Sequence, residues 1–133
     1  EMELFHGTRN NDPKLIYEGE DGFDMRYSAQ GMWGTANYFA VNASYSDSYA
    51  HQTNGQKEMF LVKVLTGDSY YCNPDRMLRI PPNKHYSAGS SSQLQLNQMK
   101  YDTVTGETNG SQVFMAYDNE KAYPAYLITY SQL

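Results

Sequence analysis

The residues best able to do chemistry lie in two short stretches, LFHGT at positions 4–8 and GMWGTANYFAVNASYSDSY at 31–49. His6 ends an alternating, strand-like segment over Met2–His6 and is followed at once by Gly7. A glycine there permits close approach of the backbone to a ligand. In the second stretch Tyr38 opens a brief apolar step to Val41, and Asn42 suits a helix cap. In the helix it opens, Ser46, Tyr49 and Ala50 recur at i, i+3 and i+4 and share one face. Tyrosine and serine set side by side in this way make an amphipathic pocket wall, whose rings pack while the hydroxyls find partners.

Other chemistries lack their residues. His51 and His85 read as surface histidines, and no Asp or Glu stands at metal-ligand spacing from any histidine, so no metal site is expected. Gly31 and Gly34 lack the Lys-Ser/Thr of a phosphate loop and do not sit between a clear strand and helix. They read as a tight turn entering the Tyr38 strand. Ser44 and Ser46 have no Ser-His-Asp context, and Cys72 has no neighbour that would make it a nucleophile. Taken one at a time, these features leave the function open.

The positioning elements follow from composition and pattern. A chain of 133 residues suits one domain over 1–133, drawn from a longer protein. Thirteen tyrosines against five phenylalanines, with Gly, Asn, Ser and Thr plentiful, predict a β-rich α+β domain of short strands and ordered loops. Pro13 to Tyr17 reads as a helical turn, Glu58 to Leu65 as a strand with Phe60, Val62 and Val64 on one side, and Gln112 to Tyr117 and Ala125 to Tyr130 as closing strands. Residues 22–34 read as irregular and 70–99 as one long loop, a kind that tends to be functional.

Charge and cysteine usage narrow the setting. A formal charge of −5 gives no footprint for nucleic acid, and the short basic run Arg76, Arg79, Lys84, His85 reads as a solvated loop. The lone Cys72 excludes a disulfide within the chain and favours a reducing, intracellular compartment, cytoplasmic or nuclear. No apolar run approaches the roughly 18 residues of a membrane span.

Five blocks together say more than any one. LFHGT at 4–8, GMWGTANYFAVNASYSDSY at 31–49, FLVKVLTGD at 60–68, YDTVTG at 101–106 and VFMAYDNEKAYPAYLITY at 113–130 resemble one family in order and spacing. That family is the catalytic domain of the poly(ADP-ribose) polymerases, the diphtheria-toxin-like ADP-ribosyltransferases. The resemblance covers nearly the whole chain, without the amino-terminal strand and helix that usually precede the His-Gly block. It implies an ADP-ribosyltransferase fold of two small packed antiparallel or mixed sheets, with short helices around an NAD cleft.

The resemblance also implies roles. NAD+ is the co-substrate. His6 bonds the hydroxyls of the adenosine-side ribose, Thr8 faces the same ribose, and Gly7 holds the nicotinamide carboxamide through its backbone. Tyr38 and Tyr49 stack on the nicotinamide, and Ser46 bonds its carboxamide. The family's usual GKG appears as Gly34-Thr35-Ala36, where alanine fits unless its backbone needs a positive φ. Polymer-forming members carry a glutamate where this chain has Val113, the third position of the His6, Tyr38 catalytic set. Gln112 should point to the opposite face and cannot replace it. The pattern thus resembles mono-ADP-ribosylating members and implies transfer of one ADP-ribose unit to a protein acceptor, with release of nicotinamide. The rival expectation is an inactive domain of the same fold that serves as an NAD-binding or protein-interaction module.

Overall fold

Tyr, Thr and Gly are abundant and strong helix formers scarce, so the chain folds mostly into strands and turns. The computed structural model describes residues 1–84 and 99–131. In chain order these form β1 (Met2–His6), α1 (Lys14–Tyr17), β2 (Ala29–Gly31), β3 (Gly34–Ala40), α2 (Ala43–Asp47), β4 (His51–Thr53), β5 (Gln56–Val64), β6 (Ser69–Tyr71), β7 (Thr103–Thr108), β8 (Ser111–Ala116) and β9 (Ala122–Tyr130). The strands pair in the order β4-β5-β1-β3-β8-β7-β6, with β2 added to β3 and β9 to β5. Among the described strand pairs only β6 and β7 run parallel.

One junction in this sheet is thin. β1 pairs with β5 from Met2↔Val64 to His6↔Phe60, but meets β3 only at Phe5↔Ala40. Two half-sheets therefore share a seam: β9, β5, β1 and β4 on one side, and β2, β3, β8, β7 and β6 on the other. These halves, one antiparallel and one mixed, are the two small sheets that the resemblance implies, and the β-rich α+β class holds.

Alternation along the strands sorts side chains onto two faces. Leu4, Phe60, Val62 and Val64 of one half pack with Phe39, Phe114 and Ala116 of the other, and Ile16 and Phe23 close this cluster across the seam. Burying each large apolar side chain of this kind contributes about 1.5–3 kcal/mol. The opposite face of β3 and β8 carries Ala36, Ala40, Val113 and Met115, which pack with Val104, Tyr117 and Trp33. The one-sided row Phe60, Val62, Val64 is thus as the alternation predicts.

Several boundaries differ from the sequence reading, each for a physical reason. β3 starts at Gly34, because β2 and β3 form a hairpin through Gly31↔Gly34 within the supposedly irregular 22–34. β7 was not foreseen as a strand, since Gly106 interrupts its apolar pattern. Tyr70 and Tyr71 belong to β6, not to a loop. β9 begins at Ala122 and tolerates Pro124 because it is an edge strand with a register shift opposite Leu61/Val62. The predicted loop at 70–99 lies partly, and His85 wholly, outside the described residues.

Candidate functional site

A cleft of about 440 Å³ opens along the seam. It is lined by His6, Gly7 and Thr8 from the end of β1, by Ala36, Tyr38 and Ala40 from β3, and by Tyr45, Ser46 and Tyr49 from α2 and its continuation. Residues 23–33 contribute Phe23, Asp24, Tyr27 and Trp33, and Arg9 and Arg76 bring positive charge. Six of the residues singled out in the sequence, His6, Gly7, Thr8, Tyr38, Ser46 and Tyr49, therefore meet in one place. The seventh does not, as described below.

His6 sits where β1 and β3 part. Its Nδ1 lies 2.6 Å from the carbonyl oxygen of Tyr38. A carbonyl can only accept, so Nδ1 carries the hydrogen and the imidazole satisfies a main-chain group that the seam leaves without a strand partner. The ring packs edge-on against Phe23 at 5.0 Å and tilted against Phe39 at 5.2 Å. Burial among these rings outweighs the carbonyl bond and lowers the imidazole pKa to about 4. At neutral pH His6 is thus an uncharged ring whose Nε2 accepts a hydrogen bond, as a ligand hydroxyl would require.

Gly7 is required by packing. A Cβ there would stand 2.4 Å from the carbonyl carbon and oxygen of Tyr49. The close approach foreseen for a ligand is made first by the protein's own backbone, which fixes α2 against β1. The Arg9 amide completes this junction by donating to the Tyr49 carbonyl at 2.8 Å. Thr8 donates its hydroxyl to the Asn11 carbonyl at 2.7 Å, so towards a ligand it can only accept.

α2 is shorter than the sequence reading, ending at Asp47, but turns continue it through Tyr49 N–H to Ser46 O and Ala50 N–H to Asp47 O. Ser46 and Tyr49 consequently keep the shared face that their spacing predicts. Asn42 precedes the helix without capping it by a side-chain bond, and its amide reaches the Gly110 carbonyl instead, at 3.0 Å. The Ser46 side chain is buried yet has no hydrogen-bond partner among the described residues, and it lines the cleft. Tyr49 is flanked by the Tyr45 ring at 5.2 Å and by the Arg9 guanidinium 4.2 Å from its centroid. Burial, then the neighbouring Tyr49, push the Tyr45 phenol up.

Tyr38 offers its ring and not its hydroxyl. The hydroxyl donates to the Gly34 carbonyl at 2.8 Å and accepts the Trp33 amide at 2.9 Å, closing the β2–β3 hairpin. Ala36 lies in regular β3 without a positive φ, so alanine fits there as expected. Gly34 does need its freedom, with φ +86 and the Leu78 carbonyl where a Cβ would go.

Val113 is fully buried and does not line the cleft. It pairs with Ala40 on one side and Gly106 on the other, one layer behind the wall. Trp33 covers Gly106 so closely that a Cβ there would meet the indole at 2.3 Å. The indole is pinned by its N–H to the Cys72 carbonyl at 3.1 Å, and the Trp33 carbonyl accepts the Tyr117 hydroxyl at 2.6 Å. Gln112 points away, as alternation requires, and donates to Thr105 Oγ1 at 3.1 Å.

Sequence reading missed the charged lining. Asp24 is the one carboxylate on the described cleft wall, and Arg26 holds it through Nε at 2.8 Å and a 2.6 Å ion pair. These bonds keep its carboxyl below the usual range. The basic run is solvated at Arg76, which is exposed at the edge of the cleft it lines, and at Arg79, but Lys84 is buried, paired with Asp68 and 5.7 Å from the Tyr101 ring centroid. No local pattern announces these partners, because Asp68 and Tyr101 are remote in sequence. Burial and Asp75 raise the Cys72 thiol, which makes it a poor nucleophile.

Comparison with known proteins supplies an independent line. Residues 1–132 match the model of the family described as the poly(ADP-ribose) polymerase catalytic domain. The chain is 41% identical over 135 residues to a probable poly [ADP-ribose] polymerase of Dictyostelium discoideum, a match covering 99% of this chain and 34% of that protein. It is 35% identical over 135 residues to the human protein mono-ADP-ribosyltransferase PARP14, covering 98% of this chain and 7% of that one. Against mouse PARP12, also a protein mono-ADP-ribosyltransferase, it is 32% identical over 135 residues, covering 98% and 17%. The chain thus spans about a third or less of each of these relatives. No described helix is long and apolar enough to cross a membrane.

Proposed function

Because the chain belongs to the poly(ADP-ribose) polymerase catalytic domain family, we propose that it transfers a single ADP-ribose unit from NAD+ to a protein acceptor and releases nicotinamide. The observation that carries the single transfer is Val113, a buried valine where polymer-forming members resemble one another in having a glutamate. With Asp24 tied to Arg26, no described cleft carboxylate is free to orient a second ribose hydroxyl for chain growth.

The cleft suits NAD+ by its donor set. The neutral His6 ring presents an acceptor to the adenosine-side ribose, and Thr8 adds another. Tyr38 and Tyr49 offer faces to the nicotinamide ring, while the Gly7 backbone and the Ser46 hydroxyl, which has no hydrogen-bond partner among the described residues, meet its carboxamide. NAD+ supplies an activated bond between the ribose and a leaving group that departs neutral. The chain's own part is to hold that ring and to exclude competing poses, which is positioning more than acid–base work.

Labelled NAD+ incubated with wild type and with His6→Ala tests this. A single-unit adduct in wild type that is lost in the variant is expected. Ladders of polymer would overturn the assignment to single transfer. Binding of NAD+ without any adduct, across a panel of protein acceptors, would favour the non-catalytic module instead.

A further inference from the structure

The helix that carries Ser46 is tied to both half-sheets. At its start, the Asn42 backbone amide donates to Ser111 Oγ at 3.2 Å and the Asn42 side chain to the Gly110 carbonyl, which fixes it on the β8 half. Its last residue, Asp47, is fixed on the other half. Asp47 Oδ1 accepts the Tyr130 hydroxyl at 2.5 Å, and Lys57 Nζ lies 3.4 Å from both carboxylate oxygens. Lys57 and Tyr130 are register partners on β5 and β9, so two neighbouring strands each present a donor to one carboxylate. The Tyr130 bond holds the Asp47 carboxyl below the usual carboxylate range, while burial and then Asp47 push the Tyr130 phenol up. At neutral pH the carboxylate is therefore charged and the phenol keeps the proton it donates, the stronger kind of hydrogen bond.

We infer that Asp47 is a positioning residue for the nicotinamide end of the cleft, and that Tyr130 and Lys57 act through it. The inference rests on the NAD+ reading proposed above. Asp47 directly follows Ser46, and its carbonyl accepts the Ala50 amide at 3.2 Å, across the turn that carries Tyr49. A carboxylate fixed on β5 and β9 therefore fixes the turn whose side chains face the nicotinamide. The same half-sheet carries β1 and Gly7, so the anchor sets the spacing between the Gly7 backbone and Ser46, the two groups assigned to the carboxamide. The adenosine end does not depend on it. His6 and Thr8 stand at the end of β1, which pairs with β5 from Met2 to His6 without any help from α2. Loosening Asp47 should thus blunt one end of the cleft and spare the other.

The test measures binding of NAD+ and of ADP-ribose by calorimetry for wild type, Tyr130→Phe, Asp47→Ala and Asp47→Asn. ADP-ribose lacks the nicotinamide and so reports the rest of the cleft. Tyr130→Phe removes one hydroxyl and should weaken NAD+ by about fivefold to tenfold, while ADP-ribose moves by less than about twofold. Asp47→Ala should do at least as much. Asp47→Asn, whose amide oxygen can still accept from Tyr130, should fall between Asp47→Ala and wild type. A residue that served the fold alone would lower the melting temperature and leave the ratio of the two affinities unchanged. Unchanged NAD+ affinity, or equal loss for both ligands, would therefore overturn the assignment. If wild type does not bind NAD+, that reading fails, and hydrogen exchange then decides Asp47. Faster exchange at the Tyr49 and Ala50 amides of Tyr130→Phe, with the β1 amides unchanged, supports the assignment, and an unchanged pattern sinks it.

Discussion

The indole of Trp33 lies across the Cα of Gly106, and Gly106 is the register partner of Val113 in the neighbouring strand. A hairpin pair and a tryptophan from a distant part of the chain thus form one layered contact behind the cleft wall. Gly106→Ala should force the indole off its seat and destabilise the fold by about 1–3 kcal/mol, as overpacking does. Urea unfolding followed by the fluorescence of Trp33 checks both the loss and its location.

Val113→Glu should not create a polymerase. The new carboxyl would start in a fully buried position among Trp33, Ala40 and Met115. Burial disfavours its charged form and raises its pKa, so the variant should lose stability as pH rises above about 4.3, the ordinary glutamate value. Gel analysis with labelled NAD+ should show no ladder, and thermal melts at pH 4.5 and 7.5 should show the larger deficit at the higher pH.

His6 gives the native protein a pH dependence of the opposite sign. Its folded pKa is about 4 against 6.5 for a free imidazole. The unfolded chain therefore takes up the proton first, and the stability due to neutral His6 is present above pH 6.5 and lost as pH falls towards 4. The full loss amounts to at most about 3 kcal/mol. Denaturant titrations across that window should show it, and His6→Gln should flatten the curve.

Ser46→Ala separates binding from folding. Its hydroxyl makes no hydrogen bond within the described residues, so removal should leave the melting temperature within about a degree. Affinity for NAD+, measured by calorimetry, should fall by about five- to tenfold, the net worth of one hydrogen bond. Loss of stability with unchanged affinity would place Ser46 in the scaffold.

Gly7→Ala is the severe counterpart. Its Cβ would collide with the Tyr49 and Ala50 backbone, which cannot yield as a side chain can. The α2 turn must shift, so both stability and NAD+ affinity should drop together, by about 1–3 kcal/mol in stability. Hydrogen exchange at the Arg9 amide, which donates to Tyr49, reports the shift directly.

What could be read before the structure, and what could not, follows from range. Ser46 and Tyr49 are legible together because helical spacing is local, and the Phe60 row is legible because alternation is local. Val113 could be assigned a family position, but not its place one layer behind the wall, since that depends on Ala40 and Trp33. Lys84 was misread for a related reason: its surroundings are Asp68 and Tyr101, which no short window contains. The β7 strand escaped notice because its central Gly106 answers to a tryptophan seventy-odd residues earlier.

The single Phe5↔Ala40 pair gives the molecule a mechanical character. A ligand touching His6 and Gly7 on one half-sheet and Tyr38 on the other works as a rivet through a joint that the backbone leaves almost open. Occupancy should then stiffen the two halves against each other and raise the unfolding temperature, since what binds only the folded state stabilises it. A fragment that grips one half alone would bind without that stiffening. Rigidity across the joint, and not affinity alone, thus distinguishes molecules that span the cleft from those that merely enter it.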